Sequence, residues 1–230
     1  MGQITLSGNP PIEVNLRRSS RARRMTLRLS QLDGKVTLTL PLQTPDREAR
    51  AFVADKEAWL RGHLAGYAPP VRIGLGARLP IEGVMMQVRA GSGRRVRIEA
   101  GAILVPGPAE QASARLAGHI KSLARDRLAA ASDHYADCLG RRYSKLTLHD
   151  TRSRWGSCSS DGGLMYSWRL VMAPPEVLTY VAAHEVAHLV EMNHSSAFWR
   201  VVTDLYGPWQ AQRDWLKIHG AGLHRYRFGD

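Results

Sequence analysis

The stretch VAAHEVAHLVEMNHSSAFW, residues 181 to 199, constrains this chain more than any other. Wound as a helix, Val181, Ala182, Ala183, Val186, Ala187 and Leu189 make its surface apolar nearly all round, so the helix belongs in an interior. Yet it also carries His184, Glu185 and His188. Burying two imidazoles and a carboxylate without partners costs on the order of a few kcal/mol per group, and a cation shared among them removes that objection. Histidines four residues apart differ by only about 40° round a helix, so both rings project from one face and can hold one ion. Glu185, one step round, stands beside such an ion without ligating it, where a base must stand to take a proton from water. The competing reading is two histidines satisfied inside an ordinary core helix.

A third ligand requires the helix to stop. His194 lies six residues past His188, about 120° round a continuing helix and pointing away from the ion. We expect Asn193 to adopt the left-handed conformation that ends a helix. Ser195 or Ser196 then caps a following helix bearing Phe198, Trp199, Val202 and Leu205. Three imidazoles leave one exchangeable position on Zn2+, the catalytic rather than the structural pattern. Glu191, three residues past His188, competes with His194 for the third place.

The 230 residues, 44% hydrophobic, suffice for one large domain or two small ones. Every apolar run is broken well short of the roughly 18 residues a membrane span needs, so no membrane is expected as a partner. The opening MGQITLSGNPPIEV lacks a basic stretch followed by an apolar core, and Leu6 stands where a myristoylation signal wants Ser or Thr. A cytoplasmic address is the default. Cys138 and Cys158 are too few for a disulfide scaffold and are read as reduced thiols. A net charge of +12 makes a polyanion the first partner to consider. Five of the eight residues in RRSSRARR (17 to 24) are arginine, a possible nucleic-acid contact in the basic N-terminal region or simply a solvated loop.

Residues 12 to 41 alternate as three strands, read as a small meander with Leu32-Asp33-Gly34-Lys35 as its second turn. Thr44-Pro45-Asp46 opens a helix with Phe52, Val53, Trp59, Leu60 and Leu64 on one side, stopped by Tyr67-Ala68-Pro69-Pro70. From Val71 to Val105 glycine-punctuated strands return as a second antiparallel patch, with no sequence repeat between the two strand regions. Pro106-Gly107-Pro108 is read as a domain hinge. A long helix follows from about Ala109 to Leu139, with Leu116, Ile120, Leu123, Leu128, Ala131 and Tyr135 at helical spacing and Gly140 as terminator. Then come a strand near 145 to 149, two extended pieces around Asp161-Gly162-Gly163, and Pro174-Pro175-Glu176 starting the histidine helix. The fold class is α+β: an antiparallel β-rich region with one helix over residues 1–107, then a mainly helical domain over 108–230. Trp199, Trp209 and Trp215 are read as packing, and the closing HGAGLHRYRFGD as solvated or loosely ordered.

The segment RWGSCSSDGGLMYSWRLVMAPPEVLTYVAAHEVAHLVEMNHSSAFW resembles the signature of the YgjP-like metallopeptidases, relatives of the SprT-like zinc proteases. The resemblance is strong over 150 to 218 and weaker in RRSSRARRMTLRL and FVADKEAWL. It implies a zincin-type active-site helix, zinc held by His184, His188 and His194, Glu185 as catalytic acid/base, and the loop Arg154 to Cys158 near the cleft. The family pattern has NWRL where this chain reads Ser167-Trp168-Arg169-Leu170, so residue 167 inherits no role. The expected function is a zinc-dependent peptidase acting on a peptide or protein. Arg154 and Tyr166 are candidates for stabilising the developing oxyanion, and the LMYSWRL segment is a candidate strand edge for a bound peptide. Two other readings stand: a metal-dependent nucleotide phosphohydrolase, disfavoured by the lack of a glycine-rich phosphate loop, and a nucleic-acid-associated module with structural zinc. Oligomeric state is not legible.

Overall fold

The computed structural model describes residues 2–30, 34–65 and 69–229. The chain divides into two compact units, Met1–Pro70 and Val71–Asp230, each with its own apolar core. The expected boundary at 107 is therefore corrected. The second strand region shares its core with the helices that follow it: Ile103 and Val105 pack in one cluster with Leu116, Ile120 and Val181. The mixed strand-rich start followed by helices is as expected.

Unit 1 contains β1 (Gln3–Leu6), β2 (Ile12–Ser19), β3 (Thr26–Leu29) and β4 (Val36–Pro41), then α1 (Asp46–Asp55) and α2 (Glu57–Ala65). The sheet order is β1-β2-β4-β3, with β2 and β4 parallel, so it is not a meander. Burial explains the order. Val36, Leu38 and Leu40 of β4 are fully buried and claim a central position, whereas Leu27 and Leu29 of β3 are only half-buried, which suits an edge. The expected single helix is two, split at Lys56, and Trp59 is exposed while Ala49, Val53 and Leu60 face the sheet. Leu32, Asp33, Tyr67 and Ala68 of the expected turns lie outside the described residues.

Unit 2 begins with β5 (Val71–Arg72), β6 (Arg78–Ile81), β7 (Val84–Gly91), β8 (Arg97–Glu99) and β9 (Ala102–Pro106). The second sheet has the order β6-β7-β9-β8 and again holds one parallel pair, β7 with β9, so it too is mixed rather than antiparallel. A 3-10 turn at Ala109–Gln111 leads into α3 (Ala112–Cys138), whose buried stripe includes Leu116, Ile120, Leu128 and Tyr135. Gly140, at φ +60°, ends it: its N–H bonds to Asp137 O and that of Arg141 to Ala136 O, satisfying the last carbonyls.

A third sheet comprises β10 (Lys145–His149), β11 (Gly156–Cys158) and β12 (Gly163–Ser167), in the order β10-β12-β11. After the buried 3-10 segment Trp168–Met172 come α4 (Pro175–Ala187), α5 (Ser196–Tyr206), α6 (Gln210–Leu223) and β13 (Tyr226–Arg227), which pairs with β5. The closing segment is thus part of the core rather than loose. His224 and Tyr226 are buried, and Arg169 donates to the carbonyls of both Leu223 and Tyr226 while forking onto Asp150. Among the described residues no helix is long and apolar enough to cross a membrane.

Candidate active site

Helix α4 is buried along most of its length, which is what its apolar surface demands. It brings His184 and His188 onto one face with their rings 5.2 Å apart and edge-on. The helix ends at Ala187, earlier than expected, and residues 188 to 190 continue as turns. Asn193 is not left-handed, correcting the expected terminator. Instead the imidazole of His188 reaches forward: its Nδ1 lies 2.9 Å from Glu191 O. This bond uses the backbone of Glu191, whose carboxylate does not join the cluster. Ser195 then caps α5, its Oγ accepting from Phe198 N at 3.4 Å.

These turns return His194 to the other two histidines. His194 Nε2 lies 3.0 Å from His184 Nε2, and one nitrogen from each of the three rings falls within 4.8 Å of the others. Ligands at about 2.0–2.1 Å around a tetrahedral zinc sit roughly 3.3 Å from one another, so the close His184–His194 pair already matches, and a widest separation of 4.8 Å has to close for the three to share one such ion. With Nδ1 of His188 donating to Glu191 O, its Nε2 presents a lone pair, the form a ligand must take. Phe198, fully buried, is the common floor: its ring centroid lies 4.9, 4.5 and 4.8 Å from those of His184, His188 and His194. The apolar pattern of α5 exposes Phe198 as core, but nothing in the sequence marks it as a support for three imidazoles.

Burial governs the electrostatics. It pushes the His184 imidazole down to about 3, with its two histidine neighbours and Arg213 adding to the effect, and it lowers His188 likewise. Neutral imidazoles result, which is the ligating state. Burial also drives the Glu185 carboxyl up to about 8 against the opposing charge of Arg154. Glu185 meets β11 at Gly156, where a Cβ would stand 2.5 Å from its Oε1. Only glycine lets the strand pass this close to the carboxylate.

The two oxyanion candidates part company. Arg154 is exposed in the loop before β11, close enough to Glu185 to influence its charge. Tyr166 lies in the core, fully buried, its hydroxyl 3.0 Å from Ser132 Oγ on α3, and it reaches no open cleft. The LMYSWRL segment is likewise not an edge: β12 is paired on both sides, and β11 is the edge strand beside Glu185. Cys158 is a free thiol outside the ligand cluster, pushed up to about 11 by burial and then by the charge of Glu185.

An aromatic wall that sequence reasoning treated only as packing adjoins the histidines. Trp199 stacks on Trp209 at 4.2 Å and lies 5.6 Å from the His184 ring, and the Arg213 guanidinium sits over both indoles at 5.2 and 5.6 Å. Spacing alone gave no signal for this, because the three residues come from α5, α6 and the link between them.

The model of the YgjP-like metallopeptidase domain matches residues 23–219 of the chain. The crystal structure of the metallopeptidase zymogen of Pyrococcus abyssi abylysin is similar at 23% identity over 40% of this chain and 92% of that one, with a TM-score of 0.36. No curated protein matches the chain.

Proposed function

The chain belongs to the YgjP-like metallopeptidase family and is a metal-dependent peptidase; from that premise we propose that its metal is zinc, held by His184, His188 and His194, with Glu185 as the proton carrier. The observation that carries this reading is the convergence of the three ring nitrogens beside a buried carboxylate. Zinc, when bound, polarises the scissile carbonyl and eases loss of a proton from water. Glu185 takes that proton onto a carboxylate oxygen as water attacks, then delivers it to the departing amine nitrogen. Burial favours this task, since a carboxyl whose affinity for protons lies near neutrality can both accept and release one. Gly156 keeps the carboxylate in place by leaving it room, and Phe198 fixes the three rings from below. To Arg154, exposed and close enough to Glu185 to act on its charge, this reading assigns the attraction of the substrate carbonyl oxygen as charge develops there. The open edge of β11 offers backbone pairing to an extended peptide, which grips substrates of many sequences.

Metal analysis of wild type, Glu185→Gln and His194→Ala, alongside a peptide-cleavage screen, tests the roles. Glu185→Gln should keep about one zinc per chain and lose turnover by roughly 10²–10⁴-fold. His194→Ala should lose the metal. Full zinc in His194→Ala, or undiminished turnover in Glu185→Gln, overturns the assignment.

A further inference from the structure

The arginines of unit 1 take no part in the site described above. Strand alternation sorts the first sheet into two faces: Val14, Val36, Leu38 and Leu40 point into the core, while Asn15, Arg17, Thr37, Thr39, Thr26 and Arg28 share the other side. Register sets Arg17 opposite Thr39 and Arg28 opposite Thr37. The two arginines thus flank a row of hydroxyls on β4, two strand spacings across and two residues along, so that their backbones are roughly 11–12 Å apart. Three adjoining depressions of about 290, 820 and 510 Å³ share Arg17, and the last extends along the β2–β3 connection to Arg21, Arg23 and Arg24.

Asp46 is the one acid among the described residues that lines these depressions, and it is already engaged. Arg18 is committed to Asp46 and to the carbonyls of Leu42 and Thr44. Among the described residues, the side chains of Arg17, Arg21, Arg23, Arg24 and Arg28 form no ion pair. The second sheet is an internal control. Its pair Gly91↔Pro106 matches Ser19↔Pro41, which sets Arg89 in the place of Arg17 and Glu99 in that of Arg28. There Arg89 donates to Gln87, Arg97 pairs with Glu99 at 3.2 Å, and Ala102 and Leu104 replace the two threonines. The second sheet thus joins one arginine to an acid and ties another to a neutral amide, whereas the outer arginines of the first have neither kind of side-chain partner among the described residues.

We infer that the outer face of the first sheet, with the β2–β3 connection, binds the phosphodiester backbone of double-stranded nucleic acid without reading its base sequence. Arginine beside threonine, serine and asparagine is the donor set that meets phosphate oxygens. Among the described residues no Phe, Tyr or Trp lines the depressions, so a single strand finds no surface there on which to stack its bases. Nor, among the described residues, does any large exposed apolar side chain line them for a lipid surface to take in. Of the described acids of unit 1, Glu48, Asp55 and Glu57 lie on its helices and line none of the depressions, whereas Glu13 of β2 shares the outer face by alternation and Asp46 lines the 820 Å³ depression in its pair with Arg18.

Fluorescence anisotropy of the full chain tests this, with a labelled DNA duplex of about 25 base pairs, the matching RNA duplex, the single strand, and vesicles containing phosphatidylserine. Binding to duplexes of unrelated sequence should be equal and should weaken steeply with salt. Arg17→Ala/Arg28→Ala should weaken it at least about tenfold and reduce the salt slope by about 2. Arg23→Ala/Arg24→Ala, away from the strands, should act in the same direction, and circular dichroism should show all variants folded. Arg89→Ala/Arg97→Ala should change affinity by less than about twofold. Absence of duplex binding at low salt, equal losses in the second-sheet variant, or tighter binding of the single strand or the vesicles overturns the inference. The DNA and RNA arms decide which duplex is preferred.

Discussion

Two sheets in this molecule are built to one plan and have been put to different uses. In β1–β4 and in β6–β9 the first pair is antiparallel, the central pair parallel, and the third strand returns antiparallel on the far edge. In each, the second of the two central strands ends on a proline, Pro41 or Pro106, and the following helical segment has an extended proline at its start, Pro45 at ψ 145° and Pro108 at ψ 145°. Inner faces are constrained by burial. Outer faces are not, and they diverge into an arginine–threonine surface on one and, on the other, a face with an internal Arg97–Glu99 pair and no threonines in the matching places. The lesson is that a buried pattern of a few apolar residues and prolines fixes topology, and the residues that would reveal kinship by identity are those free to change.

The sharpest way to test whether each copy supports its own body is to hollow both at one matched position. Leu38 and Ile103 are equivalent by register, and both are fully buried. Either change to alanine should cost about 2–5 kcal/mol. Leu38→Ala should lower a denaturant transition while leaving bound metal untouched, whereas Ile103→Ala should lower the transition of the unit carrying the histidines and weaken metal retention. A single shared transition, or metal loss in Leu38→Ala, would break the comparison.

A second contrast concerns acid. All the buried polar residues identified lie in unit 2, among them His224, which burial pushes down to about 4, with the positive charges of Arg169 and Arg152 also contributing and Asp150 opposing. Unfolded, the same ring takes its proton as pH falls through about 6.5. The unfolded state therefore binds more protons between those values, so this stability is complete above 6.5 and is lost as pH drops toward 4. The loss reaches up to about 3 kcal/mol. Chemical denaturation across that window should show a steeper decline in wild type than in His224→Gln. Equal slopes would remove His224 from the account.

The smallest expected effect lies where the two copies differ by one side chain. A Cβ on Gly91 would approach Leu104 Cβ to 2.9 Å, whereas Ser19 holds the matching place in the first sheet. Gly91→Ser should cost about 1–3 kcal/mol from overpacking, and Ser19→Gly under about 1 kcal/mol. Thermal melts of the two variants measure the difference, and a harmless Gly91→Ser would show that Leu104 has room to yield.

What the sequence disclosed follows the range of the forces involved. His184, Glu185 and His188 were legible because helical geometry acts over four residues, and the hairpin at Asp161-Gly162-Gly163 because Gly162 adopts φ +76° locally. The return of His194 was legible as a requirement, but not its route, since the bond from His188 to Glu191 O replaces the expected turn at Asn193. Strand order was hidden because pairing β2 with β4 across the intervening strand is decided by competition for burial, not by neighbours in sequence. Tyr166 was misplaced for a similar reason. Alternation gives the phase of a strand, but only packing against Ser132 tells which phase faces inward. The polar closing segment hid its burial because Arg169, more than fifty residues away, supplies the donors that make it tolerable.

The pairing of Tyr226–Arg227 with Val71–Arg72 turns the second unit into a closed loop of chain, buckled where it starts and finishes. Cutting away that last strand should therefore spring the whole ring open instead of trimming a tail. Conversely, a short linker across the buckle, with new termini opened in the exposed Ser159–Asp161 bend, should yield a circular permutant that still gathers its three histidines.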